Sequence, residues 1–250
     1  MIVSETDAAI TECSATSKNP IYVTQPFLPP LEEFIPYLEE IWESKWLTNA
    51  GPFHQKLEAV LAEYLGVEHL ALFANGTIAL VTALQALRIT GEVITTPFSF
   101  FATAGAIVNA GGVPVFADIE PATFNLNPEC IAPLVTPRTR CILPVHIFGQ
   151  CARMDAISEI AARHGLAIIE DAAQALGASY RGQPAGAWGM TTALSFYPTK
   201  NLGGAGEGGA ILTNDDEMAR QIRLLRSHGA ETPYHHVAVG VNSHLHTIQA

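Results

Sequence analysis

The chain has 250 residues, 48% of them hydrophobic and 15% charged, with 13 basic side chains against 24 acidic ones and a net charge of −11. This length and apolar content predict a globular protein with a sizeable core, built as one large domain or one domain plus a small appendage. The acidic balance argues against nucleic acid or anionic lipid as a partner, so an anionic ligand must be caught by local donors rather than a general field.

Residues 1–20 are polar and lack apolar periodicity, which predicts a loose arm extending to residue 30. The opening MIVSETDAAITECSATSK carries acids where a secretory signal needs a basic start and an apolar run. No apolar stretch approaches the ~20 residues of a membrane helix. Cys13, Cys130, Cys141 and Cys151 form no CxxC pair, so they predict ordinary reduced thiols rather than zinc or a disulfide framework. Together these readings predict a cytoplasmic protein.

From Leu31 to Trp42, apolar residues recur at helical spacing (Leu31, Phe34, Ile35, Leu38, Ile41), and a second amphipathic helix is expected from Phe53 to Tyr64. After Gly66 short apolar strands alternate with helical patterns. Strands are expected at His69–Phe73, Val93–Thr96, Val113–Ala117, Cys141–Val145, Ala167–Glu170 and Ala193–Phe196. Helices are expected at Thr77–Leu87, Phe101–Ala110, Asp155–His164 and Asp215–Ser227. Strands this apolar are buried on both faces, which predicts an α/β fold with a mainly parallel sheet sandwiched by helices. Gly209–Thr213 follows the previous strand too closely for a helical crossover and is expected to run antiparallel. The chain ends at Ile248-Gln249-Ala250 in what reads as the start of a helix.

In open parallel sheets, ligands sit beyond the carboxyl ends of the strands, and three polar clusters fall there. Asn75-Gly76-Thr77 joins a strand to a helix, where Gly76 permits close approach and the first helical N–H groups can hold a phosphate. The plainer reading is a turn with Thr77 as the helix cap. Glu170-Asp171-Ala172-Ala173-Gln174 follows the apolar strand Leu166–Ile169, where a carboxylate can pair with a protonated heterocyclic nitrogen, and Gln174 could donate to a ring oxygen; the alternative is an Asp that caps a following helix. The third cluster is SFYPTKNLGGAGEGG at 195–209. Lys200 follows a buried strand and precedes a glycine-dense turn, so burial would free its amine for Schiff-base chemistry, and Ser195 offers a hydroxyl to a phosphate. Gly204, Gly206 and Gly209 fit GxGxxG spacing, but a strand follows them instead of a helix, which removes the dinucleotide reading.

The set ANGT at 74–77, TTPFSFFAT at 95–103, PVHIFGQ at 144–150, EDAAQALGA at 170–178 and SFYPTKNLGGAGEGG at 195–209 resembles the sugar aminotransferases of the DegT/DnrJ/EryC1/StrS family, over about residues 46–250. The resemblance implies an aspartate-aminotransferase-like large domain over residues 31–250 that binds pyridoxal phosphate. Lys200 matches the lysine that carries the cofactor and shuttles the proton. Asp171 matches the carboxylate facing the pyridine nitrogen, and Gln174 the amide near the ring oxygen. Phe100 matches the stacking aromatic, Gly76, Thr77 and Ser195 the phosphate binders. Asn242 matches an asparagine reaching the cofactor phosphate of a neighbouring subunit. Members are homodimers with shared sites that move an amino group from glutamate to a nucleotide-linked keto sugar. The wording of TTPFSFFAT leans towards a dTDP-4-keto-6-deoxyhexose.

The chain departs from the family twice. His244 stands where members often carry Arg or Lys after the asparagine. The small C-terminal domain of members is missing from this sequence, so the chain is expected to be a fragment or a degenerate member. Val237, Val239 and Leu245 are then expected to lack later packing partners. The alternative function is a non-catalytic pyridoxal-phosphate-binding or regulatory member. A dehydratase of this family would carry histidine in place of Lys200. His146 matches a family histidine and is read first as a hydrogen-bonded structural residue. His235, His236, His244 and His246 fit no compact metal-ligand spacing.

Overall fold

A computed structural model describes residues 21–250; the arm over residues 1–20 lies outside the described residues. Residues 21–30 carry no helix or strand and are exposed. Two helices then precede the sheet, α1 (Leu31–Ser44) and α2 (Pro52–Leu65). Pro52 suits the first helical position, having no N–H to leave unpaired, and Gly66 stops the helix at φ 65°.

The alternation expected from the sequence follows as β1 (His69–Phe73), α3 (Gly76–Ala86), β2 (Glu92–Thr95), α4 (Phe101–Asn109), β3 (Val113–Phe116), β4 (Thr139–Ile142), α5 (Met154–His164) and β5 (Ala167–Asp171). A small hairpin, β6 (Ser179–Tyr180) and β7 (Gln183–Pro184), leads to β8 (Thr191–Ser195) and β9 (Gly209–Thr213). Helix α6 (Asp216–Arg226) and a short ribbon, β10 (Ala230–Thr232) and β11 (His235–His236), follow. Among the described residues no helix is long and apolar enough to cross a membrane.

Seven strands form one sheet in the order β1-β9-β8-β5-β4-β2-β3. Strand β9 runs antiparallel to both neighbours, as its short link to β8 requires, and every other pair is parallel. Alternate strand residues feed opposite faces. Phe73 and Ile211 pack with Leu80, Leu84 and Ile107 beneath α3 and α4, whereas Leu72 and Leu212 pack with Leu61 and Leu65 of α2. On the latter side of the sheet α5 contributes Ile157 and Ala161 against Ile94, Ile142 and Ile168. Each fully buried Leu or Ile contributes about 1.5–3 kcal/mol of transfer free energy, so these layers hold the strand ends in fixed relation.

Two boundaries differ from expectation for identifiable reasons. Strand β4 ends at Ile142 rather than Val145, because Pro144 has no N–H to continue the ladder. Helix α3 is capped by Asn75 rather than Thr77: the Asn75 side chain accepts from the Ile78 amide at 2.9 Å. At the chain end Val239 is 95% exposed, but Leu245 is buried among Leu61, Leu65 and Phe196, contrary to the expectation that it lacks partners. Thr247–Gln249 forms a single 3-10 turn.

Candidate functional site

Strands β1, β2, β5 and β8 present their carboxyl ends on one side of the sheet, and the segments that leave them enclose a cavity of about 410 Å³. That is the size range of small-molecule and cofactor sites. Seven residues singled out from the sequence, Gly76, Thr77, Phe100, Asp171, Gln174, Ser195 and Lys200, all line it.

One end of the cavity is an anion cradle. Asn75 takes the Ile78 amide, and the Gly76 and Thr77 N–H groups open α3 with no intrahelical acceptor. A Cβ on Gly76 would stand 2.8 Å from the Ser195 Cβ, and one on Gly209 would stand 2.5 Å from the Asn75 carbonyl carbon. Glycine at both positions therefore lets the α3 N-terminus, the end of β8 and the start of β9 meet backbone to backbone. Thr77 and Ser195 add hydroxyl-bearing side chains to the same cavity lining. Helix polarity favours an anion there.

At the other end lies Asp171, the last residue of β5, 5% exposed. No helix follows it, so it is not a helix cap. Its Oδ2 accepts from the Thr103 hydroxyl at 2.8 Å, and its Oδ1 accepts from the Ala173 amide at 3.2 Å. Burial pushes the carboxyl above its ordinary value, against the pull of Thr103, the Ala173 amide and Lys200. A cation placed against Asp171 would relieve that desolvation, which is what a protonated ring nitrogen does. Gln174 is oriented by its carbonyl, which accepts from the Phe148 amide at 2.8 Å, leaving its NH₂ to donate into the cavity.

Lys200 sits in the bend after β8, tethered by its own amide to the Tyr197 carbonyl at 2.8 Å. It is half-buried rather than enclosed, and it is the sole cation among the described residues that line the cavity. Phe100 caps α4 without a side-chain bond and stands 74% exposed, free to lie over a planar ligand. Asn242 is exposed and does not line the cavity; its backbone bridges Ser227.

His146 has the structural role expected first. It is fully buried; its Nδ1 accepts from the Ala152 amide at 3.2 Å, so its Nε2–H donates to Glu170 at 2.8 Å, fixing a neutral tautomer. Glu170, equally buried, also accepts from the amides of Gly186, Trp188 and Gly189 and from the Thr192 hydroxyl. Burial works to raise its pKa, but these donors outweigh it and hold the carboxyl below its ordinary value. Sequence reasoning named His146 but missed its partner Glu170, and it missed Thr103 and Ser99, although all of them lie inside motifs that it quoted. Their partners become visible only when strands distant in sequence are laid side by side. Among the described residues the only compact His/Cys/Asp/Glu group is Glu68, His69 and Asp216, distant in the fold from the cavity lining.

Residues 31–250 match the DegT/DnrJ/EryC1/StrS aminotransferase family. The chain is 48% identical over 220 residues to a pleiotropic regulatory protein of Geobacillus stearothermophilus, an alignment covering 87% of this chain and 59% of that protein. It is 46% identical over 233 residues to dTDP-4-amino-4,6-dideoxy-D-glucose transaminase of Escherichia coli, covering 92% of this chain and 62% of the enzyme. Among solved structures, NtdA of Bacillus subtilis with bound cofactor PMP superposes with a TM-score of 0.83 at 35% identity, covering 93% of this chain and 55% of that one. DesI in the presence of its TDP-sugar product gives a TM-score of 0.87 at 36% identity, covering 92% and 58%. The chain thus spans about three-fifths of the length of the proteins it matches. On the family match over residues 31–250 and these identities, the chain belongs to the DegT/DnrJ/EryC1/StrS aminotransferase family.

Proposed function

We propose that this chain holds pyridoxal phosphate in the cavity and forms the cofactor-binding part of an aminotransferase acting on a nucleotide-linked keto sugar. The observation that carries the reading is the residue set of one cavity: an anion cradle at the α3 N-terminus, the buried Asp171 carboxylate and a single amine, Lys200, with Glu207 the other charged side chain of the lining. Gly76, Thr77 and Ser195 would take the phosphate, Asp171 the ring nitrogen, Gln174 the ring oxygen, and Phe100 the ring face. Lys200 would hold the cofactor covalently. Bound pyridoxal phosphate supplies an electron sink for the carbanion left when a proton leaves the amino acid. The Lys200 amine would take that proton from the amino acid's Cα and deliver it to the cofactor's C4′, on the far side of the shared nitrogen. Asp171 would keep the ring nitrogen protonated.

Glutamate as donor and a dTDP-4-keto-6-deoxyhexose as acceptor extend this reading, the latter supported by the name of the Escherichia coli relative. Asn242, exposed and outside the cavity lining, fits a residue that serves the site of a second subunit in a homodimer. A regulatory pyridoxal-phosphate binder is the second reading, favoured by the name of the Geobacillus relative.

Borohydride reduction followed by peptide mapping tests the cofactor assignment; the pyridoxyl adduct belongs on Lys200, and an adduct on Lys56 would overturn it. Addition of glutamate to the loaded chain then changes the cofactor absorbance if the chain transaminates. A spectrum silent to glutamate, with the adduct still on Lys200, selects the regulatory reading.

A further inference from the structure

Asp171 does not stand alone at the end of β5. Thr103, 1% exposed in the first turn of α4, places its Oγ1 2.8 Å from Asp171 Oδ2 and 2.6 Å from Ser99 Oγ. A threonine hydroxyl has one proton and two acceptor lone pairs, so it cannot donate to both partners at once. If Asp171 is ionised, it can only accept; Thr103 must then donate to Oδ2 and accept from the Ser99 hydroxyl. If Asp171 carries its proton on Oδ2, the chain reverses, with Asp171 donating to Thr103 and Thr103 to Ser99. The direction of the two hydroxyls is therefore locked to the charge of the carboxylate.

We propose that Thr103 is a positioning residue that selects the ionised form of Asp171 and aims it into the cavity, with Ser99 setting the direction of the Thr103 hydroxyl. This rests on the reading that Asp171 faces the cofactor's ring nitrogen. Three features support the role. Contacts to both Asp171 and Ser99 hold the Thr103 Oγ1 in place once the backbone of α4 is docked. The Ala173 amide holds Oδ1 while Thr103 holds Oδ2, so the plane of the carboxylate is fixed by two donors from separate elements. Burial drives Asp171 towards its neutral form, and the Thr103 bond leads the forces that oppose it. A hydrogen bond to an ionised group is about twice as strong as one between neutral groups, so the device favours the charged state.

The test compares binding of pyridoxal phosphate with binding of its 1-deaza analogue, in which carbon replaces the ring nitrogen. Thr103→Val keeps the shape and removes the hydroxyl, and should weaken pyridoxal phosphate by about 10-fold or more while changing the analogue less than about 2-fold. Thr103→Ser should restore the wild-type ratio of the two affinities. Ser99→Ala removes only the outer hydroxyl and should reduce that ratio by about 2-fold to 10-fold, which keeps the inference testable if Thr103→Val fails to fold. A wild-type ratio in Thr103→Val or Ser99→Ala would overturn the inference, as would equal weakening of both ligands in Thr103→Val. Asp171→Asn separates the two readings. A wild-type ratio in that variant would remove the role given to Asp171 itself, whereas loss of the ratio there with retention in Thr103→Val would remove only the role of Thr103.

Discussion

Asp171 and Glu170 are adjacent carboxylates on one strand, and the pleat sends them to opposite faces with opposite environments. Asp171 has two donors and an open side towards the cavity; Glu170 has five donors and is closed. The first is left available for chemistry, and the second holds the strand ends together. Asp171→Asn should leave the cofactor bound but reduce amino transfer by more than the 10-fold to 100-fold that loss of one charge-assisted bond of about 1.5–3 kcal/mol explains, because the ring nitrogen also loses its proton. Single-turnover kinetics with glutamate would show this, and a wild-type rate would refute the role. Glu170→Gln should destabilise the chain by about 2–4 kcal/mol at pH 7, since an amide cannot accept from all five donors. Because the folded pKa of Glu170 lies below the ordinary 4.5, its contribution is complete above that pH and is lost as pH falls through the folded value. The stability gap between wild type and Glu170→Gln, followed by denaturant melts, should therefore narrow below about pH 4.5. Asp171, Gln174 and Lys200 were legible in the sequence because strand ends announce where ligands sit. Thr103 was not, because its partner lies 68 residues away and nothing in TTPFSFFAT distinguishes a cavity-facing hydroxyl from a helix-facing one.

Every main-sheet strand was legible as an apolar run, and the antiparallel sense of β9 followed from the length of its link. The hairpin β6–β7 and the ribbon β10–β11 were missed because their arms are two or three residues long, too short for a period of two to show, and bury no residue. The α3 N-terminal end of the cavity depends on how three elements dock, and Gly209 is a point of very close approach. Its missing Cβ would meet backbone of Asn75 and Gly76, which cannot rotate away as a side chain would. Gly209→Ala should therefore destabilise the fold by about 1–3 kcal/mol and weaken cofactor binding by moving the α3 N-terminus. Asn75→Ala should remove about 1 kcal/mol of capping without moving β9. Melting curves with and without pyridoxal phosphate distinguish them: Gly209→Ala should lose most of the cofactor-induced shift in Tm, and Asn75→Ala should keep more of it. Equal retention in both would mean that the close contact at Gly209 does not shape the cradle.

Across the whole molecule, a buried polar cluster ties α2, α6 and the segment after β11 to the back of β1. Glu58 accepts from the Leu72 amide and from Arg226, both at 3.0 Å, while Arg226 also donates to the Leu72 carbonyl at 2.9 Å. His54 is fully buried beside them, its Nδ1 3.8 Å from Glu58, and neither ring nitrogen has a hydrogen-bond partner among the described residues. His244 joins from the end of the chain, bonded to Ser227 at 3.2 Å. Burial pushes both histidines below their ordinary value of 6.5; the Arg226 charge adds to this, and Glu58 opposes it. The unfolded chain therefore takes up these protons first as pH falls. Stability is intact above about pH 6.5 and is lost as pH drops from there through the folded values, the direction opposite to that of a histidine that gains an acidic partner. The net charge adds nothing to this, because acidification first brings an acidic chain nearer neutrality. His54→Leu removes one titrating ring that makes no hydrogen bond. It should stabilise the chain at pH 7 by about 1 kcal/mol, a rise of about 2–4 °C in Tm, and should flatten the fall in Tm between pH 6.5 and pH 5. An acid limb in His54→Leu as steep as in the wild type would place the pH sensitivity elsewhere, and a loss of stability at pH 7 would mean that the imidazole has a partner which this arrangement does not give it.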